Sequence, residues 1–309
     1  MAAFEHLKKN MPDDPRFEIF IAEGSAPSLQ RNRAAKEAGG DILYFLDDDS
    51  LINPENLDLC CSGMSDPSVA VVGGPSLTPA GDSRLQKLFG YALASPFGSG
   101  AVHNRYRAHG KIRETTDKEL ILCNLAVRRS VFMKFDGFNE CLYPNEENEF
   151  LERVVSAGYT LLHVPSMSVS RRQRHTLKAF IHQMFNYGRG RAQQTLITQS
   201  YSLTSFIPLF FAAYLLLALI GIKHVLLLVP LMIYLAAALV SSLWVLRQTG
   251  SLSSLLLLGI YPLMHCVNGA GLFWGLLNGK PGPVHDGSIR IRRLKRLGET
   301  FAEQEQLAD

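Results

Sequence analysis

The amino-acid sequence predicts an α/β domain built on a largely parallel sheet, followed by a C-terminal transmembrane helical region. Short β-rich apolar runs alternate with helix-compatible stretches through the first half, which is the sequence sign of βαβ units. Between residues 203 and 278 the Lys, Arg, Asp and Glu side chains are Lys223 and Arg247 alone. Hydrophobic residues make up 47% of the chain beside 19% charged ones, a pairing that an uneven distribution explains.

Taken in order, the N-terminal stretch MAAFEHLKKNMPDD carries charges and no apolar core of the signal-peptide kind. The soluble part is therefore expected to stay cytoplasmic. Strands are expected at FEIFIA (17–22), DILYFL (41–46) and VAVVGG (69–74). Between the first two, Leu29, Ala34, Ala35 and Ala38 have helix-compatible spacing and the segment ends in glycines. After the acidic run Asp47–Asp49, Asn53 suits an N-cap and Pro54 the first helical position. Residues 75–118 are rich in Gly, Pro, Ser and Arg with little periodicity, as a lid or binding loop would be. ELILCNLAVRR (119–129) returns to the sheet, and NEENEFLERV opens a helix whose apolar face is Phe150, Leu151, Val154 and Val155.

Cys60, Cys61, Cys123, Cys141 and Cys266 have neither metal-site spacing nor an even disulfide framework, in keeping with a reducing compartment. Three apolar runs, Leu203–Ile222, His224–Leu246 and Leu252–Leu277, each reach the roughly 20 residues that cross a hydrocarbon core of about 30 Å. Arg171, Arg172, Arg174, Lys178, Arg189 and Arg191 precede the first run, where the positive-inside rule expects cytoplasmic charge. Three full crossings would put RIRRLKR (290–296) on the far side, against that rule. The third run holds Pro262, His265, Asn268, Gly269 and Gly271, so a re-entrant or split segment competes with a plain third span. The linear organisation is thus 1–170 α/β domain, 171–200 basic amphipathic interfacial segment, 201–279 transmembrane region of two to three spans, and 280–309 basic polar tail. A net charge of +3, with its basic residues gathered beside the apolar runs, indicates a membrane partner and no nucleic acid.

Three adjacent carboxylates cannot alternate into a core, so Asp47, Asp48 and Asp49 belong in the loop at a strand's carboxyl end, where open α/β sheets bind ligands. Their repulsion calls for a counter-charge. A hard divalent cation held with substrate phosphates would supply it, and a solvated turn ahead of a capped helix would also accommodate them. In the later acidic cluster, Glu147 lies three and four residues before Phe150 and Leu151 and leans inward, while Glu149 forms an exposed pair with Arg153. A desolvated Glu147 suits proton abstraction from a hydroxyl, and an acidic first turn answering the helix dipole explains the same residues.

QRNRAAKEAGGDILYFLDDDS, then NEENEFLERV, then HTLKAFIHQMFNYGRGRAQQ leading into apolar runs, resembles family 2 glycosyltransferases of the inverting, GT-A-fold kind, over most of residues 17–195. The likeness is to membrane-attached bacterial members that build exopolysaccharide or lipid-linked glycans. It implies a GT-A-like, Rossmann-type mixed sheet with flanking helices, in a multi-pass protein of the inner (cytoplasmic) membrane. Asp47 and Asp49 match the family's DXD motif, which implies that Asp49 coordinates Mg2+ or Mn2+ and that Asp47, with Asp48 beside it, contacts the nucleotide sugar and shares in the metal site. Glu23 matches an acidic base contact, and Arg31 and Asn32 match the pair flanking the nucleotide pocket. Glu146–Glu147 matches the Glu-Asp pair, which puts Glu147 at the general-base position in place of the usual aspartate. Gln183 and Arg189 or Arg191 fall where the family has a segment near the diphosphate, and an amphipathic interfacial helix accounts for them equally.

The resemblance implies transfer of a sugar from a nucleotide-diphosphate sugar, a UDP-sugar foremost, to a hydroxyl of a lipid-linked or polysaccharide acceptor. One departure stands out: the family's first strand has no counterpart before Phe17. A start lying further upstream is the preferred explanation, with an incomplete pocket or lost activity as the others. A non-catalytic membrane-anchored scaffold with a degenerate nucleotide-sugar fold is the competing class, and transport through the polar positions His265 and Asn268 a weaker third.

Overall fold

The computed structural model describes residues 2–11, 14–220, 225–282 and 289–301. In chain order they form α1 (Ala2–Asn10), β1 (Ile19–Glu23), α2 (Pro27–Glu37), β2 (Ile42–Leu46), β3 (Leu51–Ile52), α3 (Glu55–Gly63), β4 (Val69–Gly73) and β5 (Ser76–Leu77). Next come α4 (Arg84–Ala94), α5 (Pro96–Ser99), β6 (Arg113–Thr115), β7 (Asn124–Arg128), α6 (Arg129–Lys134), α7 (Glu146–Ser156), β8 (Thr160–His163) and β9 (Val169–Ser170). The chain ends with α8 (Leu177–Thr198), α9 (Ile207–Ile220), α10 (Val229–Thr249), α11 (Leu257–Asn278) and β10 (Arg290–Lys295). Two compact units result: residues 1–77, 107–171 and 282–309 make the first, and residues 78–106 and 172–281 the second.

The first unit is built on a five-stranded sheet of order β2-β7-β4-β8-β6. β7 runs antiparallel to both β2 and β4, β8 is parallel to β4, and β6 is antiparallel to β8. The sheet is therefore mixed, and the expectation of a largely parallel one fails: segment 119–129 does return to the sheet, but it enters reversed between two strands that point the same way. Ala70–Val72 on β4 and Leu125–Val127 on β7 are fully buried, as strands covered on both faces are. Against them α7 sets Phe150, Leu151 and Val154, each 0% exposed. Burial of side chains of this size stabilises by about 1.5–3 kcal/mol each. Phe150 also meets Phe132 and Phe138 at ring separations of 5.3 and 5.4 Å, so Phe150→Ala is the change that would open this core most directly. Val155 is 41% exposed, outside the apolar face expected for it.

Two smaller ladders complete this unit. β3, β9 and β5 form one, with Leu51 opposite Ser170 and Ile52 opposite Val169. In the other, β1 pairs antiparallel with β10 from the far end of the chain, Glu23 facing Arg290. Lys295 on β10 is fully buried, donating through Nζ to Phe17 O at 2.7 Å with the Phe17 ring 4.3 Å away. Helix α3 begins at Glu55 with Pro54 at its cap, one residue later than the sequence suggests.

Segment 75–118, of which residues 78–106 belong to the second unit, proves less irregular than expected. Residues 84–94 form α4, closed by a capping box between Ser83 and Gln86. Leu88, Phe89, Ala92 and Leu93 make a buried stripe at helical spacing, and Phe89 stacks on Phe180 of α8 at 4.1 Å. The Gly, Pro and Ser on either side obscured that stripe in the sequence. Helix α11 runs unbroken through Pro262 and packs along α8. Three stretches are long and apolar enough to cross a membrane: Leu203–Ile220, Val225–Thr249 and Leu252–Asn278.

Candidate active site

Strand β2 stops at Leu46 and the aspartates form the turn that follows, closed by Ser50 N donating to Asp47 O at 3.0 Å. Asp48 is exposed, and its backbone carbonyl accepts from Ala3 N at 3.0 Å. Asp47 and Asp49 share one partner: Arg171 Nη2 lies 3.0 Å from Asp47 Oδ2, and Arg171 Nε donates to Asp49 Oδ1 at 2.7 Å. Strand register places that arginine. Because Leu51 faces Ser170 in the β3–β9 pair, the residue after β9 falls beside the residues just before β3.

The other oxygen of Asp47 belongs to Arg31. From α2, Arg31 Nη2 reaches Asp47 Oδ1 at 3.1 Å and Nη1 reaches Glu146 Oε1 at 2.9 Å. Asp49, Arg171, Asp47, Arg31 and Glu146 thus form one alternating chain of charges. It joins two acidic motifs almost a hundred residues apart in sequence.

Glu146 and Glu147 open α7 after Asn145, which takes a left-handed φ of +85°. They sit 2% and 8% exposed, at the helix end where the dipole favours anions. Burial pushes the Glu146 carboxyl well above the usual range, neighbouring Glu147 adds to this, and Arg31 opposes it. Glu149 pairs with Arg153 as expected, at 2.8 Å, but the pair is not an exposed one: Glu149 is 5% exposed. Arg153 is held besides by the carbonyls of Phe135 and Gly137, which draws the pair into the fold. Beneath the aspartates, burial pushes the Cys123 thiol up to about 11, so this cysteine is a neutral part of the floor.

The remaining predicted residues lie elsewhere. Asn32, 3% exposed, exchanges hydrogen bonds with the backbone of Phe138 at 2.8 and 2.9 Å and donates to Glu140 Oε1 at 3.0 Å, pinning the loop ahead of α7. Gly137 beside it has φ +69°, and a Cβ there would lie 2.4 Å from Asn32 Oδ1. Glu23 ends β1 and pairs with Arg292 at 2.9 Å, both about half exposed. Gln183, Arg189 and Arg191 are on α8 in the second unit, where Gln183 Nε2 donates to Tyr187 Oη at 2.8 Å. Arg171 is the site residue that sequence reasoning missed, grouping it with the basic approach to the membrane. Only the pairing of the strand before it with the strand after the aspartates sets it apart.

Among the described residues no cluster of three or more His, Cys, Asp or Glu side chains is placed to hold a metal. Asp47 and Asp49 nevertheless offer hard oxygen donors, and both pair with Arg171. Two carboxylates completed by phosphate and water oxygens are a donor set that suits Mg2+ or Mn2+.

Comparison with known proteins follows the same lines. Residues 42–274 match the family model described as glycosyl transferase family group 2. The succinoglycan biosynthesis protein ExoA of Rhizobium meliloti (strain 1021) is 28% identical over 245 residues, covering 78% of this chain and 72% of that protein. Among solved structures, the mannosyltransferase PcManGT from Pyrobaculum calidifontis, in complex with GDP-Man and Mn2+, is similar at 19% identity and a TM-score of 0.47, over 83% of this chain and 67% of that one. TarS residues 1–349 of S. aureus, in complex with UDP, gives 15% identity and a TM-score of 0.36, over 89% and 79%.

Proposed function

Because the chain belongs to glycosyl transferase family group 2, we propose that it moves a sugar from a nucleotide-diphosphate sugar to a hydroxyl of a lipid-linked or polysaccharide acceptor, inverting the anomeric carbon. The charge chain from Asp49 to Glu146 carries this reading, because it brings a site for a diphosphate's counter-cation together with a desolvated carboxylate pair. The name of ExoA favours a polysaccharide product. The apolar helices favour an acceptor at the membrane, which for a nucleotide-sugar donor means the cytoplasmic face of the inner membrane.

Asp49 and Asp47 would hold Mg2+ or Mn2+, whose chemistry is to neutralise the departing diphosphate. Arg31 and Arg171 hold the carboxylates in place before the donor binds and offer the diphosphate further positive charge. Glu147 accepts the proton of the acceptor hydroxyl as that oxygen bonds to the anomeric carbon and the bond to the diphosphate breaks. Glu146, fixed by Arg31, keeps the first turn of α7 oriented. A base of this kind contributes about 10²–10⁴-fold to rate. Glu147→Gln should therefore lose transfer from labelled nucleotide sugars by about that factor while still binding donor, and Asp49→Ala should lose donor binding as well. Wild-type rates in Glu147→Gln would remove the base assignment, and undiminished donor binding in Asp49→Ala would remove the metal and donor assignment.

A further inference from the structure

We propose that the chain crosses the bilayer twice, through α9 and α10, and that α11 lies on the same side as the first unit. The argument begins with parity. The chain leaves the first unit after Arg171 and rejoins it at residue 282, and β10 then pairs with β1 through five residue positions. Two strands sharing hydrogen bonds are on one side of a membrane. The apolar stretches between them must therefore cross an even number of times, and three are long enough to do so.

Burial identifies the stretch that does not cross. Only 6% of the apolar window of Leu203–Ile220 and 11% of that of Val225–Thr249 are buried, against 39% for Leu252–Asn278. Leu216, Leu217 and Ile220 on α9 and Ile233 and Val240 on α10 are each more than 60% exposed, a surface that fits lipid chains. With the helical turn before it, α9 covers 18 residues, close to the thickness of a hydrocarbon core of about 30 Å at a rise of about 1.5 Å per residue.

Helix α11 has a different partner. A Cβ on Gly271 would lie 2.0 Å from Phe185 O, one on Gly188 2.0 Å from Asn268 O, and one on Gly275 2.7 Å from Arg189 O. Residues 268–275 therefore rest backbone to backbone on the part of α8 that carries Arg189 and Arg191, and charged side chains are costly at the bilayer centre. That stretch shares the depth of two arginines, at the membrane boundary. Asn268 Nδ2 donates to Met184 O at 3.2 Å and His265 bonds Tyr234 Oη at 2.9 Å and Gly98 O at 2.9 Å, so the polar groups of α11 are spent on protein partners. Arg247, in the last turn of α10, then falls on the side of the first unit, as the positive-inside rule requires of a cytoplasmic face.

The test reads sidedness alone and is independent of the proposed reaction. In the full-length protein with its five cysteines replaced by alanine, Lys36→Cys, Lys223→Cys, Ser251→Cys and Glu305→Cys are added one at a time. Each is exposed to a membrane-impermeant maleimide in sealed vesicles of both orientations. Lys36→Cys, Ser251→Cys and Glu305→Cys should label from one face and Lys223→Cys from the other. Labelling of Glu305→Cys from the face opposite Lys36→Cys means three crossings and overturns the proposal. Labelling of Lys223→Cys from the same face as Lys36→Cys means none, and overturns it equally. Short protease-cleavable epitopes at the same four positions of the chain with its own cysteines give a second measurement with the same two overturning results, should the cysteine-free protein fail to fold.

Discussion

Arg171 holds both carboxylates that a divalent cation would use, so its removal should change how the site binds metal before it changes anything else. In Arg171→Met, Mn2+ without donor should bind about tenfold more tightly, a difference of about 1.4 kcal/mol, because the cation no longer competes with a guanidinium. Titration followed by the electron paramagnetic resonance of free Mn2+ measures this, and equal affinity in the two proteins would contradict it. His163 makes a second residue-level prediction. It is fully buried on β8, and burial, with Arg113 adding to it and Glu119 opposing, pushes its pKa down to about 4. An unfolded histidine titrates near 6.5 and the folded one well below it, so the unfolded chain takes up the extra proton and stability falls as pH drops from 6.5 towards 4. Between pH 7.5 and pH 5 this histidine should cost about 2 kcal/mol of stability, a loss that denaturant melts of His163→Leu should lack. Sequence reasoning singled out Asp47, Asp49 and Glu147 through motif and spacing and Arg31 through the family resemblance, because each lies in a run with its own signature. It could not reach Arg171, whose role depends on which strand lies beside β3.

At the scale of elements, α8 and α11 approach so closely that certain glycines cannot gain a carbon. Gly271→Ala places a methyl against Phe185 O and should destabilise the helix pair by about 1–3 kcal/mol. Gly259→Ala, in the same helix with nothing within 4 Å, should be neutral or stabilise by up to about 1 kcal/mol through helix propensity. Thermal inactivation of the two variants in detergent compares them directly, and equal midpoints would refute the close crossing. Element identity was mostly readable: the strands at 19–23, 42–46 and 69–73 and the helix at 146–156 all lie where apolar spacing put them. Strand direction was not, because alternation marks a strand without saying which neighbour it meets. The apolar stripe of α4 was legible in principle but lay inside a segment whose composition argued for a loop.

For the whole molecule, the decisive contact joins its two ends. Arg290–Lys295 complete a ladder on β1, Arg292 pairs with Glu23, and Lys295 is buried against Phe17. A chain ending at Gly282 should thus expose β1 to protease in membranes while the β2-β7-β4-β8-β6 sheet keeps its protection. Limited proteolysis tests this, and an unchanged cleavage pattern would show that β1 holds without its partner. The linear division into domain, interfacial segment, membrane region and tail follows the order of the chain, whereas packing joins residues 78–106 to residues 172–281 and returns Arg290–Lys295 to the first unit.

By itself the sequence determined the α/β class, the three apolar stretches, the acidic motifs and the family they resemble, because each is written in local composition and short spacing. Tertiary structure alone decided which strands pair and in which direction, that Arg171 and Arg31 join the two acidic motifs, and that the basic tail closes on β1. The physical reason is common to all three. They depend on pairings between segments that are not neighbours in the chain, from Thr115 with Leu161 in β6–β8 to Glu23 with Arg290 in β1–β10, and no local pattern records which distant partner a strand edge or a charge will meet.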